Sequence, residues 1–277
     1  MTKLPLFCLA LAAAVSASAG LQTGIEYGTA GGESLKLDAY VPDGPGPFPA
    51  VILVHGGGWT AGDKSGGPSR GYMAPMHDPL ARGGFAWFSI NYRLAPKFQY
   101  PACVEDVETA IRWVKAHAAE YHLDPARIAL AGESAGGHLV ALVGTRTTDA
   151  TRVAAIVDFY GRHDMVGATR LGEKLPGNMG RLFGAETLDA ATEARLREAS
   201  PLDHVRPGLP PFLLVHGTAD ASVPYQHSVA LEARLKLSGV PCDFMTIKDG
   251  THGMINWGKF APGYGDQVVA WLKKTLN

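Results

Sequence analysis

The chain has 277 residues, of which 46% are hydrophobic, and its 25 lysines and arginines against 26 aspartates and glutamates give a formal net charge of −1. This balance lacks the basic excess with which proteins bind nucleic acid or anionic membranes, so we expect neither as a partner. The length fits one α/β domain better than two and is ample for a large hydrophobic core.

The first 19 residues resemble an export signal. Lys3 supplies a positive charge, residues 4–15 are apolar, and Ala17-Ser18-Ala19 has the A-x-A form of a cleavage site. The apolar stretch is shorter than the roughly 20 residues that span a bilayer, so no stable membrane anchor is expected. We predict a signal peptide over 1–19, a catalytic domain over 20–277, and a secreted or periplasmic protein; the alternative is a disordered or core-packed N-terminus.

Eight segments have the pattern of β-strands. The first two, at 23–27 and 35–40, predict an antiparallel pair, because apolar and polar residues alternate in the second. The other six are apolar runs of the kind that a strand buried on both faces requires. They lie at residues 50–54, 85–92, 127–131, 153–160, 212–215 and 243–247.

Helical patterns lie between and after the later strands, at residues 102–119, 138–143, 226–237 and 265–276. Strands that alternate with helices predict a mainly parallel sheet with helices on both faces. The longest connection, residues 161–210, contains a helix-like segment at 188–197, so it is predicted to be an insertion with its own helices. The fold class is therefore α/β, with about eight strands and a helical insertion after the sixth.

Two cysteines, Cys103 and Cys242, remain after the predicted signal. An exported protein permits a disulfide, but Cys103 opens a predicted helix and Cys242 enters a late strand, so two free thiols are favoured. The spacing of cysteines and histidines is not that of a zinc site, and no metal or other cofactor is predicted.

Residues 132–136 read Gly-Glu-Ser-Ala-Gly, with a predicted strand before them and a predicted helix after them. A serine lifted on a tight turn between strand and helix is exposed at the edge of the sheet, and this context raises the G-x-S-x-G pattern above chance. Ser134 is therefore the candidate nucleophile.

A serine needs a base to remove its proton, and the base needs an acid to orient it. On a doubly wound hydrolase sheet these groups follow in the order serine, acid, histidine, on loops after later strands. Asp220 and His252 meet both conditions, a few residues beyond the predicted strands at 212–215 and 243–247. Asp249 is the alternative acid, although it shares a loop with His252.

The run His55-Gly56-Gly57-Gly58-Trp59 directly follows the strand at 50–54. Consecutive glycines can present backbone N–H groups without side chains in the way, as an oxyanion hole requires. A phosphate-binding loop is excluded because no Lys-Ser/Thr pair follows the glycines at the required offset.

Five motifs together resemble the α/β-hydrolase fold, and within it the carboxylesterases related to hormone-sensitive lipase, especially bacterial acetyl-xylan and feruloyl esterase-like members. The motifs are HGGGW at 55–59, NYRLAP at 91–96, GESAG at 132–136, DASVP at 220–224 and GTHG at 250–253.

This resemblance implies Ser134 as nucleophile, Asp220 as acid and His252 as base. It implies an oxyanion hole of Gly57, Gly58 and Ala135, with Trp59 as an alternative to Gly57. It also implies that Arg93 pairs with Asp106 in the following helix.

The sequence departs from the hormone-sensitive-lipase pattern in two ways. Glu133 stands where that group usually has aspartate, and the first strand begins almost at the predicted cleavage site, with no room for the group's long N-terminal cap. Both departures favour the small carbohydrate-esterase-like branch or arylformamidase-like relatives over long-chain lipases.

The predicted function is hydrolysis of short-chain acyl esters, such as acetyl or feruloyl groups on plant polysaccharide, through an acyl-enzyme. The alternatives are an arylformamidase-like amidase, an exported peptidase and a non-enzymatic binding domain. Large side chains that could line the substrate entrance, or equally belong to the core, are Trp59, Tyr160, Met179, Phe183 and Trp257.

Overall fold

The computed structural model describes residues 17–65, 72–167 and 169–277. Most of the predicted export signal lies outside these residues, so the signal and its cleavage site stay predictions. In the described ranges no helix is long and apolar enough to cross a bilayer.

The eight predicted strands are all present. In chain order they are β1 (Gly20–Ala30), β2 (Glu33–Val41), β3 (Phe48–Val54), β4 (Ala86–Ile90), β5 (Leu123–Glu133), β6 (Ala155–Phe159), β7 (Phe212–Gly217) and β8 (Cys242–Ile247). β1 extends well beyond the predicted segment at both ends, because pairing with β2 holds residues whose own pattern is not strand-like.

The strands form one sheet in the order β1-β2-β4-β3-β5-β6-β7-β8. β2 runs antiparallel to both β1 and β4, and the six strands from β3 to β8 are parallel. The carboxyl ends of the parallel strands therefore meet along one edge, where open α/β sheets place their sites.

Seven α-helices lie between and after the strands. They are α1 (Ala74–Arg82), α2 (Ala102–Ala116), α3 (Ala135–Thr145), α4 (Gly177–Phe183), α5 (Ala190–Glu198), α6 (Gln226–Leu237) and α7 (Tyr264–Thr275). Short 3₁₀ turns occupy Pro201–His204 and Met254–Lys259. α4 and α5 belong to the predicted insertion between β6 and β7.

Helices cover both faces of the sheet. On β3, Ala50, Ile52 and Val54 belong to the core shared with α2, α3 and α6, whereas Val51 and Leu53 belong to the core shared with α1 and α7. This division follows from the period-two alternation of side chains along a strand. The expected α/β-hydrolase architecture is thus confirmed.

α1 lies outside the insertion and is a helix that the sequence pattern did not predict. Its nine residues contain Pro75 and Pro79 and bury only Met76 and Leu80, four residues apart. Pro75 is tolerated because the first turn has no N–H partner to lose. An apolar stripe of two residues is too short to stand out from a loop.

Two further expectations from the sequence, the free cysteines and the pairing of Arg93 with Asp106, are confirmed. Cys103 is buried and Cys242 is half-buried, and both are free thiols. Arg93 donates from Nε to both carboxylate oxygens of Asp106 at 2.9 Å, which ties the segment after β4 to α2.

Candidate active site

Ser134 lies on the turn between β5 and α3, with φ 55° and ψ −114°. This is a strained conformation for a residue with a Cβ atom and requires close packing to hold it. A Cβ atom on Gly132 would lie 2.4 Å from the Gly136 carbonyl oxygen, and one on Gly136 would lie 2.1 Å from the Val54 oxygen. Both glycines of the pentapeptide are therefore needed for the turn.

A continuous hydrogen-bonded chain links three predicted residues. His252 Nδ1 is 2.7 Å from Asp220 Oδ2, and His252 Nε2 is 3.0 Å from Ser134 Oγ. Since a carboxylate can only accept, Nδ1 carries the proton in this contact, and in the neutral imidazole Nε2 then accepts from the serine hydroxyl. The structure thus brings together Ser134, His252 and Asp220 at the carboxyl edge of the sheet.

The environment of Asp220 keeps its carboxylate charged. The side chain is fully buried and accepts hydrogen bonds from the backbone N–H groups of Ser222 at 2.8 Å and Val223 at 2.9 Å. Burial alone raises the pKa of Asp220, but hydrogen bonds from His216, His252 and the Val223 amide together hold that pKa below its ordinary value. A fixed negative charge therefore stands behind the imidazole.

Asp249, the alternative acid, does not take part in this chain. Its backbone N–H donates to Thr218 Oγ1 at 2.9 Å, and no hydrogen bond joins its carboxylate to His252 in the described residues. The geometry therefore favours Asp220 over Asp249.

The glycine loop after β3 lies beside Ser134. Gly57 and Gly58 have φ values of 99° and 59°, and a Cβ atom on Gly57 would lie 2.1 Å from the Ala61 carbonyl oxygen. In the part of the chain that the structure describes, the N–H groups of Gly57, Gly58 and Ala135 donate to no protein acceptor. All three residues line the same cavity as Ser134.

Glu133 fastens this loop, a role that the sequence analysis missed. Its Oε1 accepts the Gly56 N–H at 2.6 Å, and the Tyr160 hydroxyl lies near enough to the same carboxyl to lower the pKa of Glu133. Tyr160 Oη in turn accepts the Met254 N–H at 3.0 Å. Burial raises the pKa of Glu133, against the lowering effect of these two donors and of nearby His252. Glu133 thus connects the glycine loop to the segment that follows His252.

A cavity of about 630 Å³ opens above Ser134. Three of the large side chains named from sequence, Trp59, Tyr160 and Met179, line it. The indole of Trp59 also donates to His138 Nδ1 at 3.1 Å, which anchors the side chain at the wall.

Phe183 and Trp257, named as further lining candidates, lie elsewhere. Phe183 is fully buried and stacks on Tyr100 at a centroid distance of 5.3 Å. Trp257 is also fully buried, packs edge-on against Tyr160 at 5.0 Å and donates from its indole to the Thr251 carbonyl. The sequence-based suggestion that Phe183 and Trp257 line the cavity is therefore wrong. A sequence does not distinguish an aromatic residue of the core from one in a cavity wall.

Polar residues of the cavity that sequence reasoning missed are Tyr72, Arg162, Asn178 and Ser222. Arg162 follows β6 by three residues, just as Asp220 follows β7. The strand-end rule that selected Asp220 could therefore have selected Arg162 too. Among the described residues no group of three histidines, cysteines, aspartates or glutamates could hold a metal ion.

Several other histidines are buried near the site and have structural contacts. His55 Nδ1 donates to the Gly56 carbonyl at 2.7 Å, and His138 Nε2 donates to the Ala199 carbonyl at 2.7 Å. Burial lowers the pKa of each to about 4. His216 donates to the Val223 carbonyl at 3.0 Å and supports the turn that carries Asp220.

A known protein family matches most of this chain. The model of the BD-FAE family matches residues 37–235. "Probable carboxylic ester hydrolase LipM" of Mycobacterium tuberculosis is 36% identical over 196 residues, which are 66% of this chain and 44% of that protein. The chain spans about half the length of the curated relatives it matches, 44% to 53% for three of them.

Solved structures agree over nearly the whole chain. A truncated carbohydrate esterase from gut microbiota has a TM-score of 0.76 and 26% identity, covering 96% of this chain and 98% of that one. An acetyl ester-xyloside bifunctional hydrolase from Caldicellulosiruptor lactoaceticus has a TM-score of 0.77 and 25% identity, covering 94% and 98%. With the family model matching well over half of its length, the chain belongs to the BD-FAE family, on an α/β-hydrolase fold.

Proposed function

We propose that the protein is a serine carboxylesterase that hydrolyses short-chain acyl esters through an acyl-enzyme. The observation that carries this proposal is the chain of hydrogen bonds from Asp220 through His252 to Ser134. This chain of hydrogen bonds ends in the same cavity as the backbone N–H groups of Gly57, Gly58 and Ala135, which have no acceptor among the described residues. Carboxylic ester hydrolases among the relatives support the reaction class.

In the first step Ser134 Oγ attacks the ester carbonyl while His252 Nε2 takes the hydroxyl proton. Asp220 holds the imidazole with Nδ1 protonated and stabilises the imidazolium that forms. The carbonyl oxygen becomes an oxyanion, which the N–H groups of Gly57, Gly58 and Ala135 stabilise, since these donors are already in place and need no rearrangement.

Collapse of the tetrahedral intermediate breaks the bond to the alcohol, and His252 returns its proton to that leaving group. Water then attacks the acyl-enzyme, again losing a proton to His252, and the second collapse frees the acid and Ser134. Each step uses only residues of this chain.

The acyl group is proposed to be short, with acetyl and feruloyl esters of plant polysaccharide as candidate substrates. The carbohydrate esterase and the acetyl ester-xyloside hydrolase among the structural neighbours support this choice. The cavity is large enough for such a substrate, because about 630 Å³ accommodates an acyl group and part of a sugar.

A substrate panel tests the proposal. Nitrophenyl esters of increasing acyl length, acetylated xylan, methyl ferulate and an aryl formamide are offered to the wild type and to Ser134→Ala. We expect the highest kcat/KM on the shortest esters and none above background in the variant. Equal turnover by folded Ser134→Ala would refute the assignment, and preference for the formamide would move the function to an amidase.

Export is proposed separately. Cleavage after Ala19 would remove the apolar segment and leave β1 complete, because that strand begins at Gly20. The intact mass of protein recovered from the periplasm or medium of a bacterial host checks this, with a new N-terminus at Gly20 expected and retention of residues 1–19 as the opposite result.

A further inference from the structure

Arg162 places a positive charge in the wall of the proposed catalytic cavity. It follows β6 by three residues and lines the cavity together with Ser134, His252 and Asn178. Among the described residues that line this cavity it is the one lysine or arginine.

The guanidinium of Arg162 has no partner in the part of the chain that the structure describes: it makes no hydrogen bond, ion pair or ring contact there. Two other arginines near the insertion differ. Arg195 donates to the Phe183 carbonyl at 2.7 Å, and Arg146 donates to the Tyr100 hydroxyl at 2.9 Å and pairs with Glu198.

Neighbouring acids do not neutralise this charge. Asp164 raises the pKa of Arg162 by its charge but forms no ion pair with it, and its Oδ1 instead accepts the Gly167 N–H at 2.9 Å. Glu133 also lines the cavity, but its carboxyl is engaged by Gly56 and Tyr160.

Desolvation makes the unpaired charge costly. Arg162 is largely buried, which lowers its pKa against the opposing effect of Asp164. A guanidinium withdrawn from water without a partner is unfavourable, and a carboxylate that reaches it forms a short, charge-assisted and often bidentate contact. A ligand that supplies such a group recovers the cost of desolvation.

We infer that Arg162 selects esters that carry a carboxylate elsewhere in the molecule, on either the acyl or the alcohol part. This inference rests on the proposed esterase function and narrows its substrate class. The Arg162 guanidinium binds the carboxylate while Ser134 attacks the ester carbonyl in the same cavity. An arginine that binds a remote substrate group improves recognition and contributes little to the bond-breaking step.

Matched ester pairs test the inference. For the alcohol part, 4-acetoxybenzoate is compared with its neutral counterpart 4-acetoxytoluene; for the acyl part, a nitrophenyl hemisuccinate is compared with the nitrophenyl butyrate. We expect at least one pair to show a higher kcat/KM for the carboxylate ester. In Arg162→Gln the carboxylate-to-neutral ratio for that pair falls about tenfold or more, mainly through KM.

Two further variants separate local contact from general charge. Arg162→Lys keeps the charge without the bidentate geometry and is expected to recover part of the ratio. Arg181→Gln removes an equal charge from α4, where the side chain is exposed and does not line the cavity, and is expected to leave the ratio unchanged. An equal change in Arg181→Gln and Arg162→Gln, or no change in either, would overturn the inference.

Binding of a carboxylate that is not an ester keeps the inference separate from the esterase proposal. The amide 4-acetamidobenzoate is titrated into wild type and Arg162→Gln, with neutral 4-acetamidotoluene as the control. Tighter binding of the carboxylate that is lost in Arg162→Gln supports the subsite even if no ester is turned over. Equal binding of both amides, with ester turnover intact, would reject the subsite and leave the esterase proposal standing.

Discussion

Near the carboxyl edge of the sheet, His252 and His163 each form a hydrogen-bonded pair with a different aspartate, and of these two histidines only His252 also contacts a nucleophile. In the first, His252 contacts Asp220 at 2.7 Å and its other nitrogen contacts Ser134 at 3.0 Å. In the second, His163 Nε2 donates to Asp158 Oδ2, and His163 Nδ1 has no partner among the described residues.

The pairs also differ in exposure. The side chain of His252 is 27% exposed, whereas those of His163 and Asp158 are 1% and 0% exposed. A His–Asp pair by itself is therefore a structural element. It becomes a candidate for proton transfer when the second nitrogen reaches a hydroxyl at an open cavity, and when the acid stays charged through further donors.

The largest expected difference between the pairs is in turnover. His252→Gln removes the proposed base and should lower kcat for nitrophenyl acetate on the order of 10⁴- to 10⁶-fold, with little change in the free energy of unfolding. His163→Gln should keep kcat/KM within a few-fold while losing about 1–3 kcal/mol of stability, because it disturbs a buried hydrogen bond. Urea denaturation and initial rates measure both, and a reversal of the two patterns would refute the assignment.

Substitution of the two candidate acids, Asp220 and Asp249, should also affect kcat to very different extents. Asp220→Asn is expected to lower kcat on the order of 10⁴-fold, since the amide no longer holds the imidazole in the required tautomer. The Asp249 carboxylate forms no hydrogen bond or ion pair with His252 among the described residues, so Asp249→Asn is the matched control and should stay within a few-fold of wild type. If the ranking of these two variants is inverted, the proposed acid is Asp249.

A smaller effect is expected at Glu133, which fixes the glycine loop and touches no reacting atom in the proposed mechanism. Glu133→Ala should lower kcat on the order of 100-fold, with a smaller change in KM. This is at the lower end of the roughly 100- to 1,000-fold loss in kcat that follows removal of one oxyanion donor. Glu133→Gln retains an oxygen acceptor for the Gly56 N–H and should recover most of kcat. If Gln is as impaired as Ala while both are folded, Glu133 acts through its charge and not as a positioning residue.

The smallest effect concerns acid stability. His55 and His138 are buried with pKa values lowered to about 4, whereas an unfolded histidine titrates near 6.5. Below pH 6.5 the unfolded chain therefore binds more protons than the folded one, and stability falls as the pH decreases towards 4.

Between pH 7 and pH 5 the loss should be on the order of 1–2 kcal/mol for each of the two histidines. Urea denaturation at the two pH values measures it, and His138→Gln should show a shallower dependence than wild type. A free energy of unfolding that rises between pH 7 and pH 5 would contradict this account.

The sequence predicted most of the fold because the central strands are continuous apolar runs. It also marked the turn at Ser134, because no residue with a Cβ atom fits at Gly132 or Gly136. It predicted Ser134, Asp220 and His252 as neighbours because strand order fixes which loops meet. It did not distinguish Trp59 at the cavity wall from Trp257 in the core, because burial of an aromatic ring depends on the packing of distant segments. Arg162 was missed because a charged residue in an insertion is ordinarily solvent-exposed.

The most direct test of the central claim is labelling by a fluorophosphonate, followed by peptide mass mapping. We expect one label per chain, located on Ser134, with the rate of labelling reduced at least 100-fold in His252→Gln and close to wild type in His163→Gln. Labelling at another residue, or labelling of His252→Gln at the wild-type rate, would contradict it.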